Sequence, residues 1–269
     1  MRHVYMAGLA VLALGTAAWG LEPANRMKCE EQRANRACEI RESHMSAGSR
    51  LDVDAAPNGG IHVTAWDKKE ILVRAKVEAW GDSKNEAEST LAQVKVIAEN
   101  QKVRSTGPKE SGHHSWGWST SFEIFVPARI DLGMETVNGG INVDGVSGAM
   151  KFETVNGGVN LAGVAGRIKG QTVNGGVNVD LSGAKWDGEG LDVQTVNGGV
   201  TLALPGAYNA SIRANTVHGG VSSDFSGAKI TKGQWGAGPN TLELTVGSGG
   251  APIKLETVNG GVSVKRRDA

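Results

Sequence analysis

The sequence predicts an all-β fold: a right-handed, single-stranded β-solenoid, β-helix-like, of about 20-residue rungs. A β-rich amino-terminal part containing one short helix precedes it. Three observations carry this prediction. The phrase Thr-Val-Asn-Gly-Gly-Ile/Val stands at 136–141, 154–159, 172–177, 195–200 and 257–262, with a sixth copy at 216–221 in which His218 replaces Asn. Its spacing is near-regular: Asn138, Asn156, Asn174 and Asn197 lie 18, 18 and 23 residues apart, His218 follows 21 later, and Asn259 another 41. Apolar and polar residues alternate on both sides of every copy.

A period near 20 suits one rung of a solenoid, in which strands of the same kind stack about 4.8 Å apart and each unit buries its apolar face only against its neighbours. After each Gly-Gly the first position is Ile141, Val159, Val177, Val200, Val221 or Val262, the second is small and polar, and the third is apolar in all copies but Ser223. Before each Thr, Leu132, Met150, Ile168, Leu191, Ile212 and Ile253 repeat at one position, with Glu, Gln or Asn directly preceding the Thr. This period of two marks half-buried strands and puts the Thr on the inward side. Each rung then has two strands joined at an Asn-Gly-Gly corner, where Asn and Gly tolerate positive φ. The corner ladder is Asn138, Asn156, Asn174, Asn197, His218 and Asn259. Antiparallel hairpins are the rival reading, because Asn-Gly between strands is a hairpin signal. Stacking is favoured because it alone requires equivalent residues at equivalent positions.

Taken in order, the chain opens with a signal peptide over 1–20. Arg2 and His3 precede an apolar run from Met6 to Ala18, too short for a helix to span about 30 Å of hydrocarbon. No transmembrane segment is expected in the mature chain. Residues 21–47 hold Cys29 and Cys38, the only cysteines, which an oxidising compartment favours joining. Residues 48–130 form the β-rich part. Asn58-Gly59-Gly60-Ile61 is a remote copy of the corner, Ser83 and Glu86 make a capping box for a helix over 83–93, and 94–103 and 122–126 read as strands. Between them 105–120 reads as a loop carrying His113, His114, Trp116 and Trp118. The repeats fill 131–265, with an irregular insert at 226–239, a strand at 241–246 and a degenerate corner at 247–250. The charged end, Lys265 to Asp268, reads as a solvated cap.

Composition narrows function. With 28 basic and 28 acidic residues, and only four Phe and two Tyr, neither a basic nucleic-acid face nor an aromatic platform for single strands is supported. His218 is the only histidine in the repeats, and no triad forms around it. Lys151, Lys169, Arg213 and Lys254 alternate with Glu or Gln in the manner of cross-strand surface pairs. Gly-Gly-Ile-Asn-Val-Asp144 is only remotely like a calcium nonapeptide, which has Gly in place of that Asn and half the period. No catalytic residue, metal or cofactor is therefore expected. The candidate binding surface is the outward row Asn142, Asn160, Asn178 and Thr201, together with Trp116 and Trp118.

The stretch Asn58-Gly-Gly-Ile-x-Val-x-x-Trp66-Asp67, the short acidic helix, Phe122-x-Ile-x-Val-Pro127 and the repeated Thr-Val-Asn-Gly-Gly-Val resemble a bacterial adhesin-like envelope family of unknown function, related to the head GIN and toastrack domains. The resemblance covers about residues 48 to 265 and implies a β-solenoid in an exported or envelope-facing protein, with adhesion or assembly roles. It supplies no catalytic residues. The resulting expectation is a secreted or periplasmic non-catalytic binding or structural module that contacts a glycan or an envelope protein. The alternatives are a scaffold for an envelope stress or assembly complex and a β-helix carbohydrate-active enzyme.

Overall fold

The computed structural model describes residues 27–29, 35–109, 116–233 and 238–267. The signal segment, His113 and His114 lie outside the described residues. The amino-terminal part has strands β1 (Arg36–Ser46), β2 (Arg50–Asp54), β3 (Ile61–Trp66) and β4 (Glu70–Trp80), helix α1 (Lys84–Gln93), then β5 (Lys95–Glu99), β6 (Lys102–Thr106) and β7 (Gly117–Pro127). The repeats follow as β8 (Asp131–Asn138), β9 (Ile141–Asp144), β10 (Ser147–Asn156), β11 (Val159–Ala162), β12 (Ala165–Asn174), β13 (Val177–Asp180), β14 (Gly190–Asn197) and β15 (Val200–Pro205). The chain closes with β16 (Ala210–His218), β17 (Val221–Ser223), β18 (Lys229–Thr231), β19 (Asn240–Val246), β20 (Pro252–Asn259) and β21 (Val262–Arg267).

Each copy of the phrase bends the chain from one sheet into the other, so every repeat gives one strand to each. The first sheet runs β1-β4-β7-β3-β9-β11-β13-β15-β21-β17 and the second β18-β19-β16-β20-β14-β12-β10-β8-β2-β6-β5. Within the repeats the strands are parallel and in the register of the phrase: Thr136, Thr154, Thr172 and Thr195 align, as do Ile141, Val159, Val177 and Val200. Parallel pairing excludes the hairpin array. The apolar positions face inward into one core that extends from Leu51 to Val264.

The inward Thr is polar yet buried, and the structure shows why it is tolerated. Thr154 Oγ1 donates to the Gly139 carbonyl of the preceding rung at 2.9 Å, and Thr136, Thr172, Thr195, Thr216 and Thr257 make the same bond at 2.7–2.8 Å. A buried hydroxyl is costly only when unpaired. The corner asparagines form a ladder of their own. The amide of Asn138 donates to Asn58, Asn156 to Asn138, Asn174 to Asn156, Asn197 to Asn174 and Asn259 to Asn197, all at 2.8–2.9 Å.

The corner requires Gly for a reason other than positive φ. Among the described residues the non-Gly residues with positive φ are Asn100 and Gln101, so no corner Asn adopts it. Of the corner glycines, Gly59 and Gly219 have φ of 155° and 159°, while Gly139, Gly157, Gly175, Gly198 and Gly260 do not adopt positive φ. A Cβ on Gly157 would lie 1.9 Å from the Gly139 carbonyl oxygen, and one on Gly175 would lie 2.1 Å from that of Gly157. Backbones of successive rungs approach too closely at this point for any side chain.

The amino-terminal part continues the same two sheets. β2 pairs β8, β3 pairs β9, and Asn58 bridges Asn138, so Asn58-Gly59-Gly60-Ile61 is the first corner of the stack. Helix α1 begins as expected, with Ser83 accepting from the Glu86 amide at 3.2 Å, and buries Ala87 and Thr90. Its Leu91 packs on a satellite cluster of Val77, Ala79, Val94 and Trp118. Cys29 and Cys38 are joined, with Cα atoms 5.7 Å apart. The stretch 94–103 is not one strand. It breaks at Asn100 and Gln101, whose φ of 51° and 59° give the two-residue turn that matches strand twist, and β5 pairs β6 across it. The expected loop 105–120 is also shorter, because β7 already starts at Gly117.

The carboxyl end departs most from expectation. The rung of Asn259 does not follow that of His218. It lies inside the stack, with β20 between β14 and β16 and β21 between β15 and β17. The chain passes from β16 through β18 to β19, which runs antiparallel on the far side of β16, and turns back over Gly247–Gly250. Those glycines are thus a crossover turn and not a corner. The charged end is no cap: Lys265, Arg266 and Arg267 pair with Ala203, Leu204 and Pro205, and Arg267 forms an ion pair with Asp180.

A charged groove on the second sheet as candidate functional site

Parallel register converts repeats in sequence into rows across the outward faces. On the second sheet one row runs Gly133, Lys151, Lys169, Asp192, Lys254, Arg213 and Glu243. Two residues nearer the corner runs a row of Glu135, Glu153, Gln171, Gln194, Glu256 and Asn215. Two residues further from the corner the side chains become small, with Ala149 and Gly190 flanking Arg167. These short residues leave an open groove of about 550 Å³ lined by Arg50, Lys151, Arg167, Lys169 and Lys254, with Glu189 and Asp192.

Most charges in the groove are paired. Arg50 contacts Asp52 at 2.6 Å, Lys151 contacts Glu153 at 2.8 Å, Arg167 contacts Glu189 at 3.6 Å, and Lys254 reaches Glu256 at 2.9 Å and Asp192 at 4.0 Å. The Arg50–Asp52 pair lies over Gly133, where a Cβ would fall 2.2 Å from Asp52 Oδ1. Hydrogen bonding to Glu153 holds the Lys151 ammonium above its ordinary value, and Glu256 does the same for Lys254. Burial by itself would raise Glu256, but hydrogen bonds from Lys254 and Asn215 outweigh it and hold the carboxyl below the usual range. Lys169 is the exception, forming no ion pair among the described residues.

Nearer the corner, Val137, Val155, Val173, Val196, Val258 and Val217 form an exposed stripe, each 37–46 % accessible. Sequence reasoning missed this row, although the parity that turns the preceding Thr inward also turns these valines out.

The residues expected at the binding surface are only partly brought together. Asn142, Asn160 and Asn178 align on the outward face of the first sheet, with Asn160 donating to Asn142 at 2.7 Å and Asn178 to Asn160 at 2.9 Å. Thr201 continues that row, followed by Ser263 and Ser222. The tryptophans do not join it. Trp118 is buried against Val77, Ala79 and Val94, and its Nε1 donates to the Pro108 carbonyl at 3.0 Å. Trp116 is half-buried against the same cluster. An indole folded into the core satisfies its N–H and offers no platform, so Trp118 leaves the candidate surface. Among the described residues no three of His, Cys, Asp and Glu gather closely enough to hold a metal. The buried Tyr208 hydroxyl has its pKa pushed up to about 12 by desolvation.

The two sheets and their in-register ladders define an all-β repeat protein whose outward faces are rows of like side chains. The chain belongs to the Toastrack DUF4097 family, whose pattern matches residues 128–265. No curated protein matches it. Among solved structures it is similar to a candidate cell adhesion protein from Clostridium sporogenes, at 13% identity and a TM-score of 0.46 over 85% of this chain and 100% of that one. It is also similar to a candidate adhesin from Bacteroides fragilis, at 10% identity and a TM-score of 0.33 over 85% and 97% of the two chains. A candidate lipid binding protein from Parabacteroides distasonis aligns at 8% identity and a TM-score of 0.34 over 86% and 97%.

Proposed function

We propose that this chain is an exported, non-catalytic, adhesin-like binding module that holds a glycan along the charged groove of the second sheet. The observation that carries the reading is Lys169: an unpaired ammonium in an open groove between Arg167 and Lys151, with Lys254 and several carboxylates around it. Sugar hydroxyls both donate and accept, so a surface that alternates cations with carboxylates meets both needs. An acidic sugar would add a charge-assisted bond to Lys169. Glu256, which pairs with Lys254 beside the groove, has its carboxyl held below the usual range, which suits a charged group and not a proton donor. The periplasm or cell surface is the compartment that fits a signal segment and a joined cysteine pair. We read the coil as right-handed, the hand that parallel crossovers adopt almost without exception.

Calorimetric titration with neutral and acidic polysaccharide fragments tests the reading. Binding should be lost in Arg167→Glu/Lys169→Glu and retained in Asn160→Ala/Asn178→Ala. The opposite pattern would move the site to the amide row of the first sheet.

A second reading is that of a scaffold. β1 is an 11-residue strand at the border of the first sheet, and an envelope protein could add a strand to it. Crosslinking in cells from a photoreactive residue at Ile40 would capture one defined envelope protein if that reading holds.

A further inference from the structure

We propose that the interval between β14–β15 and β16–β17 receives β20–β21 from a second copy of this chain, so that the protein assembles by exchanging its carboxyl-terminal rung. This goes beyond the glycan-binding reading and does not depend on it. Elsewhere in the repeats, consecutive copies of the phrase are spatial neighbours, as in β8, β10, β12 and β14. Only here does a later copy separate two consecutive ones.

The three phrases involved are chemically interchangeable. Thr195, Thr257 and Thr216 stand in one register, as do Val200, Val262 and Val221. Thr257 donates to the Gly198 carbonyl at 2.8 Å, and Thr216 makes the same bond to Gly260 at 2.7 Å. If β20–β21 leaves, β16–β17 can close on β14–β15 with the ladder unchanged in kind. The insertion is therefore specified by chain connectivity more than by side-chain pattern, and connectivity can be satisfied by another copy.

Synthesis order favours the alternative pairing. β16 emerges before β20 and meets β14 first, so insertion must reopen or forestall that contact. The link between β19 and β20 suits a hinge. Gly247, Gly249 and Gly250 have φ of 57°, 78° and 152°, and the turn is fastened by Asn209, which accepts from the Ser248 amide at 2.8 Å. In an exchanged pair each copy fills the other's interval, a closed two-fold arrangement of the kind that domain swapping produces.

The test uses full-length chains. Val196 and Val258 are surface residues, 40% and 39% exposed, between the paired Thr195/Thr257 and Asn197/Asn259. Neighbouring strands at this spacing lie within disulfide reach. A Val196→Cys chain and a Val258→Cys chain are mixed, concentrated and oxidised, and the covalent products are mapped by mass spectrometry. Exchange predicts a 196–258 heterodimer in excess over the two homodimers. It also predicts that the double variant Val196→Cys/Val258→Cys, closed within one chain beforehand, loses the non-covalent dimer that wild type shows by light scattering. A statistical mixture of homo- and heterodimers, or a wild-type chain that stays monomeric at high concentration, overturns the proposal. The double variant closing within one chain establishes in the same experiment that the substitutions preserve the register.

Discussion

The rungs from β8 to β15 and those from β16 to β21 are built from the same phrase, yet they behave differently. In the first region chain order and spatial order coincide, and every corner residue has a neighbour above and below. In the second, the final rung is interleaved, β17 shrinks to three residues, and Val221 is only half-buried where Val159 is fully buried. The difference teaches that repetition fixes what a rung contacts but not which rung supplies the contact. It also implies that equivalent substitutions should cost unequal amounts in the two regions.

The largest contrast should come from charge. Val159→Asp places a carboxylate among Val177, Ile141 and the inner core, with a cost of about 4 kcal/mol for an unpaired buried charge. The same change at Val221, on a terminal strand with partial access to water, should cost less than half as much. Equal midpoint losses in urea would show that the stack has no privileged interior. Next comes the corner. Gly157→Ala drives a methyl to 1.9 Å from the Gly139 oxygen, and its counterpart Gly219→Ala drives one to 1.9 Å from the Gly260 oxygen, whereas a Cβ on the following Gly220 meets nothing within 4 Å. The first two should each lose about 3 kcal/mol or more by overpacking and Gly220→Ala little. Thermal denaturation followed by circular dichroism would separate them.

Much of this was legible in the sequence because solenoid constraints are local. The parity that buries Ile141 and Thr154, the spacing that aligns Asn138 with Asn156, and the Ser83 cap each depend on residues a few positions apart. Three things were not legible. The neighbour of Asn259 could not be read, since Thr195, Thr216 and Thr257 carry the same phrase and every pairing among them looks equally good. The turn at Asn100 and Gln101 was hidden because Gln seldom adopts positive φ. The corner glycines were assigned to positive φ, whereas the constraint is the approach of stacked carbonyls, which exists only once a second rung is in place. The groove was half legible. Its Lys and Glu alternation was read as surface pairing, but Glu189 belongs to the long 23-residue interval between Asn174 and Asn197 and had no equivalent to align with. Trp118 was misplaced because a tryptophan beside a Gly-Ser stretch reads as a loop residue, while β7 carries it into a core cluster.

Smaller effects sharpen the same comparison. Thr154→Val removes the hydroxyl that donates to Gly139 and should cost about 1 kcal/mol. Asn156→Ala interrupts a ladder in which Asn156 donates to Asn138 and accepts from Asn174. These amides are exposed, so the loss should be somewhat smaller. Asn259→Ala removes one donated bond, to Asn197, and should cost less still. If Asn259→Ala costs as much as Asn156→Ala, the ladder acts pair by pair and not as a chain.

The smallest expected effect is that of pH, and it touches the two ends of the molecule in the same direction. At the amino-terminal end a hydrogen bond from Arg74 at 2.7 Å holds the Glu42 carboxyl below its ordinary 4.5. In the interleaved region Glu256 is lowered against its own burial by Lys254 and Asn215. A carboxyl depressed on folding contributes stability that is present above its unfolded value and is lost as pH falls through the folded one. Stability should therefore be flat above about pH 5 and should decline below about 4.5. Both carboxylates retain contact with water, so each share should be below about 1 kcal/mol. Glu256→Gln and Glu42→Gln should each flatten the acid limb of the midpoint-against-pH curve. The Glu256 change should do so more strongly, because Glu256 is the less exposed of the two, at 29% against 41%. An acid limb unchanged by either substitution would assign acid unfolding to other carboxylates and detach these pairs from the stability of the stack.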